Sequence, residues 1–439
     1  MSAPTYDCYR KSGVEWLGEV PSHWNVKRLA HYFDERRTKV SDAVYPPLSV
    51  TKNGIVPQLD TAAKTDDGDN RKLVLSGDFV INSRSDRKGS SGLSRLDGSV
   101  SLINTVLTPQ PGMVGNFAHH LLRSVPFQEE YYRYGKGIVA DLWSTNFSEA
   151  RNIVLAVPPP AEQAAIAAFL DRETGKIDAL VEAQTRLIEL LKEKRQAVIS
   201  HAVTKGLDPA APMKDSGVEW LGQVPAHWEV QKLGSICSKI GSGKTPSGGA
   251  EAYVDAGIAF LRSQNVYDEG LWLDELVYIP EAVDEEMSNT RVQPGDVLLN
   301  ITGASLGRTC IVPEPFERAN VNQHVCIIRL QDVAQRDFVS MAMKSISTKG
   351  QIDATQNGAA REGLNFQQIA ELRVALPPEN EASVIVKAVC AQIGGLDRLT
   401  EQAEAAISLL QERRAALISA AVTGKIDVRG LAPQQAEAA

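Results

Sequence analysis

Few side chains in this sequence are spaced for chemistry, and each candidate fails a physical requirement of the reaction it suggests. Gly243-Lys244-Thr245 has the ending of a phosphate-cradling P-loop. That loop needs a glycine where Ser238 stands and a helix where Pro246 stands, and proline lacks the N–H a helix interior requires. Gly303-Ala-Ser305-Leu-Gly307 has the spacing of a hydrolase nucleophile elbow. The elbow must turn from strand into helix and be followed by an acid and a histidine. His324 is the only later histidine and residues 308–312 read as strand, so a glycine turn between strands is expected. Cys8, Cys237, Cys310, Cys326 and Cys390 show no CxxC spacing, and the seven histidines show no ligand spacing, which excludes a disulfide framework and a structural zinc site. There is no glycine-rich cofactor loop after a strand and no Asn/Asp-Pro-Pro-aromatic tetrapeptide of an amino-methyltransferase. Catalysis is not expected on this chain.

What remains is hydrogen-bonding capacity in loops. The first half offers Lys52 and the run Arg84, Arg87, Lys88, Ser90 and Arg95 among glycines and serines. The second half offers Lys244, Arg262, Gln264, Asn265, Thr302, Arg308, Asn322, Gln323 and Arg361. Arginine presents a pair of donors that fits guanine O6/N7, and asparagine or glutamine fits adenine N6/N7, so these fifteen side chains are the candidate DNA contacts. The same residue types also serve as solvated loops and local turn formers.

The elements that must position these loops repeat. Ser12 to Leu29 returns as Ser216 to Leu233 with five differences in eighteen positions, and the two copies hold Trp16, Trp24, Trp220 and Trp228. This pattern predicts a packed anchor, with His23 and His227 in structural roles. Residues 162–208 run in step with 381–427 at an offset of 219. A period above two hundred residues means duplicated domains rather than a solenoid. Between the repeats lie short strand-like runs, such as 73–75, 79–81, 100–103 and 153–157, separated by Gly, Asp and Ser. Gly77-Asp78 to Asn82 corresponds to Gly295-Asp296 to Asn300. After Pro158-Pro159-Pro160 the frame Thr174, Ile177, Val181, Gln184, Ile188, Leu191, Arg195, Val198, Ala202 alternates steps of three and four, as does Ile393, Leu396, Thr400, Ala403, Ile407, Leu410, Arg414, Leu417, Ala421. These are coiled-coil seams interrupted by polar residues, and the simplest partner for each helix is the other.

The expected architecture is α/β (α+β). It comprises two similar mixed α/β domains separated by two long antiparallel coiled-coil helices, a pseudo-two-fold internal repeat. The expected boundaries are 1–157 (anchor and domain one, with residues 1–11 a weakly ordered leader), 158–208 (helix one), 209–376 (second anchor and domain two), 377–427 (helix two) and 428–439 (a disordered tail). The composition, 43% hydrophobic, is sufficient for real cores, and no apolar run approaches the ~20 residues of a membrane span. A soluble cytoplasmic protein with reduced, mostly buried cysteines is expected. A net charge of −8 excludes indiscriminate coating of nucleic acid but allows a basic groove beside acidic helices.

The S-G-V-E-W-L-G-x-V-P-x-H-W opening of each half, the Gly-Asp strand, the Pro-Pro-x-x-Glu exit and the long helix after each domain resemble the specificity (S) subunit of type I restriction-modification systems. The second exit, Pro378-Glu-Asn-Glu-Ala382, lacks the glutamine found at Gln163. The resemblance implies a non-enzymatic DNA-recognition subunit whose two target recognition domains each read half of a split double-stranded DNA site. It implies helices that space the domains and dock two methyltransferase (M) subunits, which methylate adenine, with restriction (R) subunits joining them. It implies no cofactor on this chain; S-adenosylmethionine, ATP and Mg would sit on the partners. The competing class is a non-catalytic duplicated adaptor that binds proteins or peptides through the same loops.

Overall fold

A computed structural model describes residues 4–60, 68–137, 143–356 and 363–431. The chain divides into two compact units, one formed by Met1–Thr185 with Ala405–Ala439 and the other by Arg186–Glu404. Each unit therefore contains one globular region and a part of each long helix.

In unit one, strands Phe33–Glu35, Asn104–Pro109, Phe79–Asn82 and Ser91–Leu93 form an antiparallel sheet in that spatial order. In unit two the equivalent order is Cys237–Ser242, Val325–Leu330, Val297–Asn300 and Thr309–Ile311, again antiparallel. The shared Gly-Asp signature explains part of this identity. Gly77 and Gly295 adopt φ of 96° and 85°, a left-handed turn suited to glycine. The buried Asp78 accepts the Leu75 amide and pairs with Arg36 at 2.7 Å, whereas Asp296 accepts the Gln293 amide and pairs with Arg329 at 2.7 Å. Both aspartates close the turn and tie it to a neighbouring segment. The smaller sheets diverge: Gly98–Val100, Arg71–Val74 and Lys39–Val40 are antiparallel, whereas Ile258–Leu261 pairs in parallel with Ala319–Val321.

The long helices span Pro160–Lys205 and Glu379–Val422. Pro160 at the first position of the first helix costs no hydrogen bond, and Gly206 and Gly424, both at φ 73°, supply the left-handed residue that ends each helix. Thr174, Ile177 and Leu191 are buried, and Val181, Gln184, Ile188 and Arg195 are half-buried among exposed neighbours. The seam of the first helix is thus the frame read from the sequence. Within unit one Asp178 pairs with Arg414 at 2.8 Å, and within unit two Asp397 lies 3.4 Å from Arg195. These are the same two positions of the repeat with the helices exchanged.

The tryptophan anchors clasp the helix starts. In unit one Trp24 Nε1 donates to Glu162 Oε1 at 3.0 Å, His23 Nε2 lies 2.7 Å from Oε2, and the Tyr6 hydroxyl donates to Oε1 at 2.7 Å. In unit two Trp228 Nε1 donates to Glu381 at 3.1 Å and His227 lies 2.7 Å from it. The opposite helix ends against the same tryptophan, Gly424 near Trp24 and Gly206 near Trp228. Lys425 Nζ donates to the Glu19 carbonyl and Lys205 Nζ to the equivalent Gln223 carbonyl, although the local order is Gly-Lys in one copy and Lys-Gly in the other. Trp24 and Trp228 are buried as expected, Trp16 packs edge-on against Phe127, and Trp220 remains 46% exposed.

Several expectations are corrected. The leader is ordered from Pro4: Tyr6 is buried in the core, Tyr9–Lys11 pairs with Glu19–Pro21, and the Pro4 carbonyl accepts the Asp427 amide. The tail is ordered to Leu431, because Val428 is buried and Arg429 stacks on Tyr6 at 5.0 Å; residues 432–439 lie outside the described residues. The glutamine missing from the second exit is replaced from another direction. Gln163 Nε2 donates to the Pro158 carbonyl in unit one, and Gln335 Nε2 donates to the equivalent Pro377 carbonyl in unit two, where Ala382 stands for Gln163.

Candidate nucleic-acid interface

In each unit a β-hairpin lies against the two strands at one edge of the four-stranded sheet. The first joins Leu48–Thr51 to Gly54–Pro57 and packs on Phe79–Asn82 and Ser91–Leu93. The second joins Val266–Tyr267 to Gly270–Leu271 and packs on Val297–Asn300 and Thr309–Ile311. The position is shared and the chemistry is not.

In unit one the hairpin walls a cleft of about 600 Å³ lined by Ser49, Thr51, Lys52, Gln58, Arg71, Asn82, Asp86, Arg87, Ser90, Ser101 and Asn104, with Leu48, Val50 and Leu59. This cleft brings together Lys52, Arg87 and Ser90 of the candidate contacts; Arg84, Lys88 and Arg95 lie outside its lining. Lys52 is exposed at the hairpin tip, where its carbonyl accepts from Arg123. Arg84 and Arg87 share Asp86 at 3.2 and 3.7 Å, and Lys88 pairs with Glu129 at 2.6 Å. The basic run is therefore part-neutralised by exposed carboxylates, pairs that contribute little to stability in water and exchange readily for a phosphate or a base. Sequence reasoning missed Gln58, Asn82 and Asn104, which face the same cleft. Asn104 Oδ1 is a buried acceptor without a partner among the described residues. Arg71 also lines the cleft, but it is buried and bound to Ser99 at 2.8 Å, so its part is structural.

In unit two the candidates divide. Asn265 is fully buried, accepting the Arg262 amide at 2.9 Å and donating to the Trp272 carbonyl at 2.8 Å. Asn322 is buried and accepts the His324 amide at 3.1 Å. Both brace turns; Asn265 is enclosed with both amide atoms engaged, which corrects its assignment as a contact. Thr302 Oγ1 lies 2.6 Å from His324 Nδ1, and Gln323 Nε2 lies 2.9 Å from the other ring nitrogen. Arg262 stacks on Tyr253 at 5.8 Å and donates to the Glu275 carbonyl, while Arg308 stacks on Tyr267 at 4.8 Å. Gln264 and Lys244 are exposed; the turn before Lys244 requires Gly243, since a Cβ there would lie 1.6 Å from the Val321 carbonyl. Arg361 lies outside the described residues. Tyr253, Tyr267 and Trp272 are aromatic partners that the search for polar loops passed over.

The arrangement supplies donors, acceptors and stacking faces. The three buried thiols, Cys237, Cys310 and Cys326, are each pushed up to about 12 by burial, so they are poor nucleophiles; Cys8 and Cys390 are exposed and all five are free. Gly303–Ser305 is a short turn between two strands, as expected. Among the described residues no group of three His, Cys, Asp or Glu could hold a metal ion, and no helix is long and apolar enough to cross a membrane.

Comparison with known proteins points to one family. Residues 225–408 match the family described as the type I restriction modification DNA specificity domain. A Methanocaldococcus jannaschii protein, provisionally named the type I restriction enzyme MjaX specificity subunit, is 21% identical over 94% of this chain and 96% of its own length. The type I restriction enzyme EcoKI specificity subunit of Escherichia coli is 22% identical over 73% of this chain and 68% of its own. A solved structure described as the structural basis underlying complex assembly and conformational transition of the type I R-M system shares the fold. Its TM-score is 0.69 at 16% identity, over 92% of this chain and 98% of that one.

Proposed function

We propose that this chain, which matches the type I restriction modification DNA specificity domain over residues 225–408 and is similar to type I specificity subunits along most of its length, is the non-catalytic recognition subunit that reads a bipartite double-stranded DNA site, one half with each unit. The observation that carries the reading is the pair of equivalent hairpins. They have the same sheet order behind them and different side chains in front of them, the polar cleft around Lys52 and Arg87 against the aromatic-arginine surface around Arg308. A protein that must recognise two different half-sequences needs such a constant frame with variable contacts. Hydrogen-bonding and apolar groups on a β-ribbon are suited to base edges, and mobile cation pairs to phosphates.

The long helices serve as spacers and as docking surfaces for two methyltransferase subunits, with restriction subunits joining the complex. Exposed leucines support docking: unit one presents Leu180 and Leu409, unit two Leu190 and Leu399, and these are two repeat-related pairs. Four large apolar side chains kept in water at repeated positions are best explained by a protein partner. S-adenosylmethionine, ATP and Mg belong to those partners in this reading.

The test is binding of the chain with its methyltransferase partner to a library of DNA duplexes at several salt concentrations. Retention of one split sequence, weakened by salt, is the expected result. Absence of sequence selection at low salt would favour the protein-binding adaptor.

A further inference from the structure

Trp272 is the most exposed of the described tryptophans outside the first anchor, at 55%, and Leu273 beside it is 45% exposed. An indole is seldom left in water without a use, and the main chain that carries this one is pinned. Its amide donates to the Asn265 carbonyl at 2.8 Å, and its carbonyl accepts from the Asn265 side chain at 2.8 Å, the asparagine itself being fully buried. The ring sits 6.4 Å from Tyr267, and Arg308 covers Tyr267 at 4.8 Å. The only contact of the Arg308 guanidinium among the described residues is this ring, so a cation with its donors available stands one ring away from the indole.

The charges next to it decide what such a surface touches. Asp274 and Glu275 follow immediately and are exposed. Carboxylates are repelled by phosphates and by the minor groove, where the negative potential is strongest, but the major groove offers cytosine N4 and adenine N6 as donors. The apolar group unique to the major groove is the thymine C5-methyl.

We propose that Trp272 reads a thymine, its indole packing on the C5-methyl in the major groove of the half-site bound by unit two. The inference rests on the DNA-reading function proposed above. It adds a specificity contact by a residue type absent from the first unit's cleft.

The experiment measures binding by the intact chain with its methyltransferase partner, first selecting sites from a randomised library and then titrating the selected site. Trp272→Ala loses the preference for thymine at one position of one half-site, with affinity for the selected site falling roughly three- to tenfold, the scale of one methyl group withdrawn from an apolar contact. All other positions keep their preference. Replacing that thymine by deoxyuridine weakens the unaltered protein by the same factor and leaves Trp272→Ala unaffected, while Trp272→Phe stays sensitive to the methyl. The uracil substitution needs no protein variant, so it holds even if Trp272→Ala misfolds. Equal binding of thymine and uracil sites by the unaltered protein overturns the proposal. So does unchanged selection by Trp272→Ala, including the case in which that variant instead loses its protein partner. If the unaltered complex selects no sequence at all, the DNA-reading function falls as well, whereas selection of a split site that is indifferent to Trp272 defeats this inference alone.

Discussion

Glu162 and Glu381 hold the same place in the two units but not the same surroundings. Glu162 is 7% exposed and satisfies Tyr6, His23 and Trp24, whereas Glu381 is 34% exposed and, among the described residues, satisfies His227 and Trp228. Removing an acceptor from buried donors costs their desolvation, about 1–3 kcal/mol for each group left unpaired. Glu162→Ala therefore destabilises unit one by about 2–4 kcal/mol, and Glu381→Ala destabilises unit two by less, as thermal unfolding followed by near-ultraviolet circular dichroism would measure. A second residue-scale prediction concerns acid. His119 is lowered to about 4 by burial and then by the Arg123 charge, with His120 and Arg95 adding to it and Asp171 opposing it. The unfolded chain, titrating near 6.5, binds the extra proton first. Stability due to this group is thus complete above about pH 6.5 and falls as pH drops toward 4, by on the order of 3 kcal/mol. His119→Gln should flatten that part of the stability-pH curve. At this scale the sequence was informative where a residue repeats and least informative where its burial decides. His23 and His227 were correctly read as structural because they recur, whereas Asn265 looked like a contact until its amide proved to be a buried brace for Trp272.

The helices were legible in detail because a packed seam leaves a period that no other pressure produces. The buried and half-buried residues from Thr174 to Arg195 are the predicted frame. Hairpins leave a weaker trace: Val266–Tyr267 and Gly270–Leu271 are two-residue strands, too short for alternation to register. The Gly-Asp strands were found by self-comparison, but the arginines that pair with their aspartates, Arg36 and Arg329, come from separate segments. If the helices space the recognition units, half-site separation follows their length. One heptad added to each, between Gln184 and Ile188 and between Ala403 and Ile407, preserves both seams and adds roughly 10 Å at 1.5 Å per residue. That is about three base pairs at 3.4 Å each, and helix tilt reduces it to a range of about one to three. Selection from a library with randomised spacers measures it; an unchanged spacer with binding intact would leave the helices a docking role only.

At the scale of the whole chain, duplication was legible because the anchors and exits are under a shared constraint, the Trp-His clasp on a glutamate. The compact units were not, because their division falls at Thr185 and Glu404, within helices that carry no break in sequence pattern. The central claim is that each unit reads its own half of one DNA site. The most direct measurement is to replace residues 30–157 with the matching segment of another specificity subunit, assemble the exchanged chain with its methyltransferase partner, and select its site from random DNA. The predicted result is a new sequence in one half and the original sequence, at the original spacing, in the other. A change in both halves together, or in neither, would contradict the account.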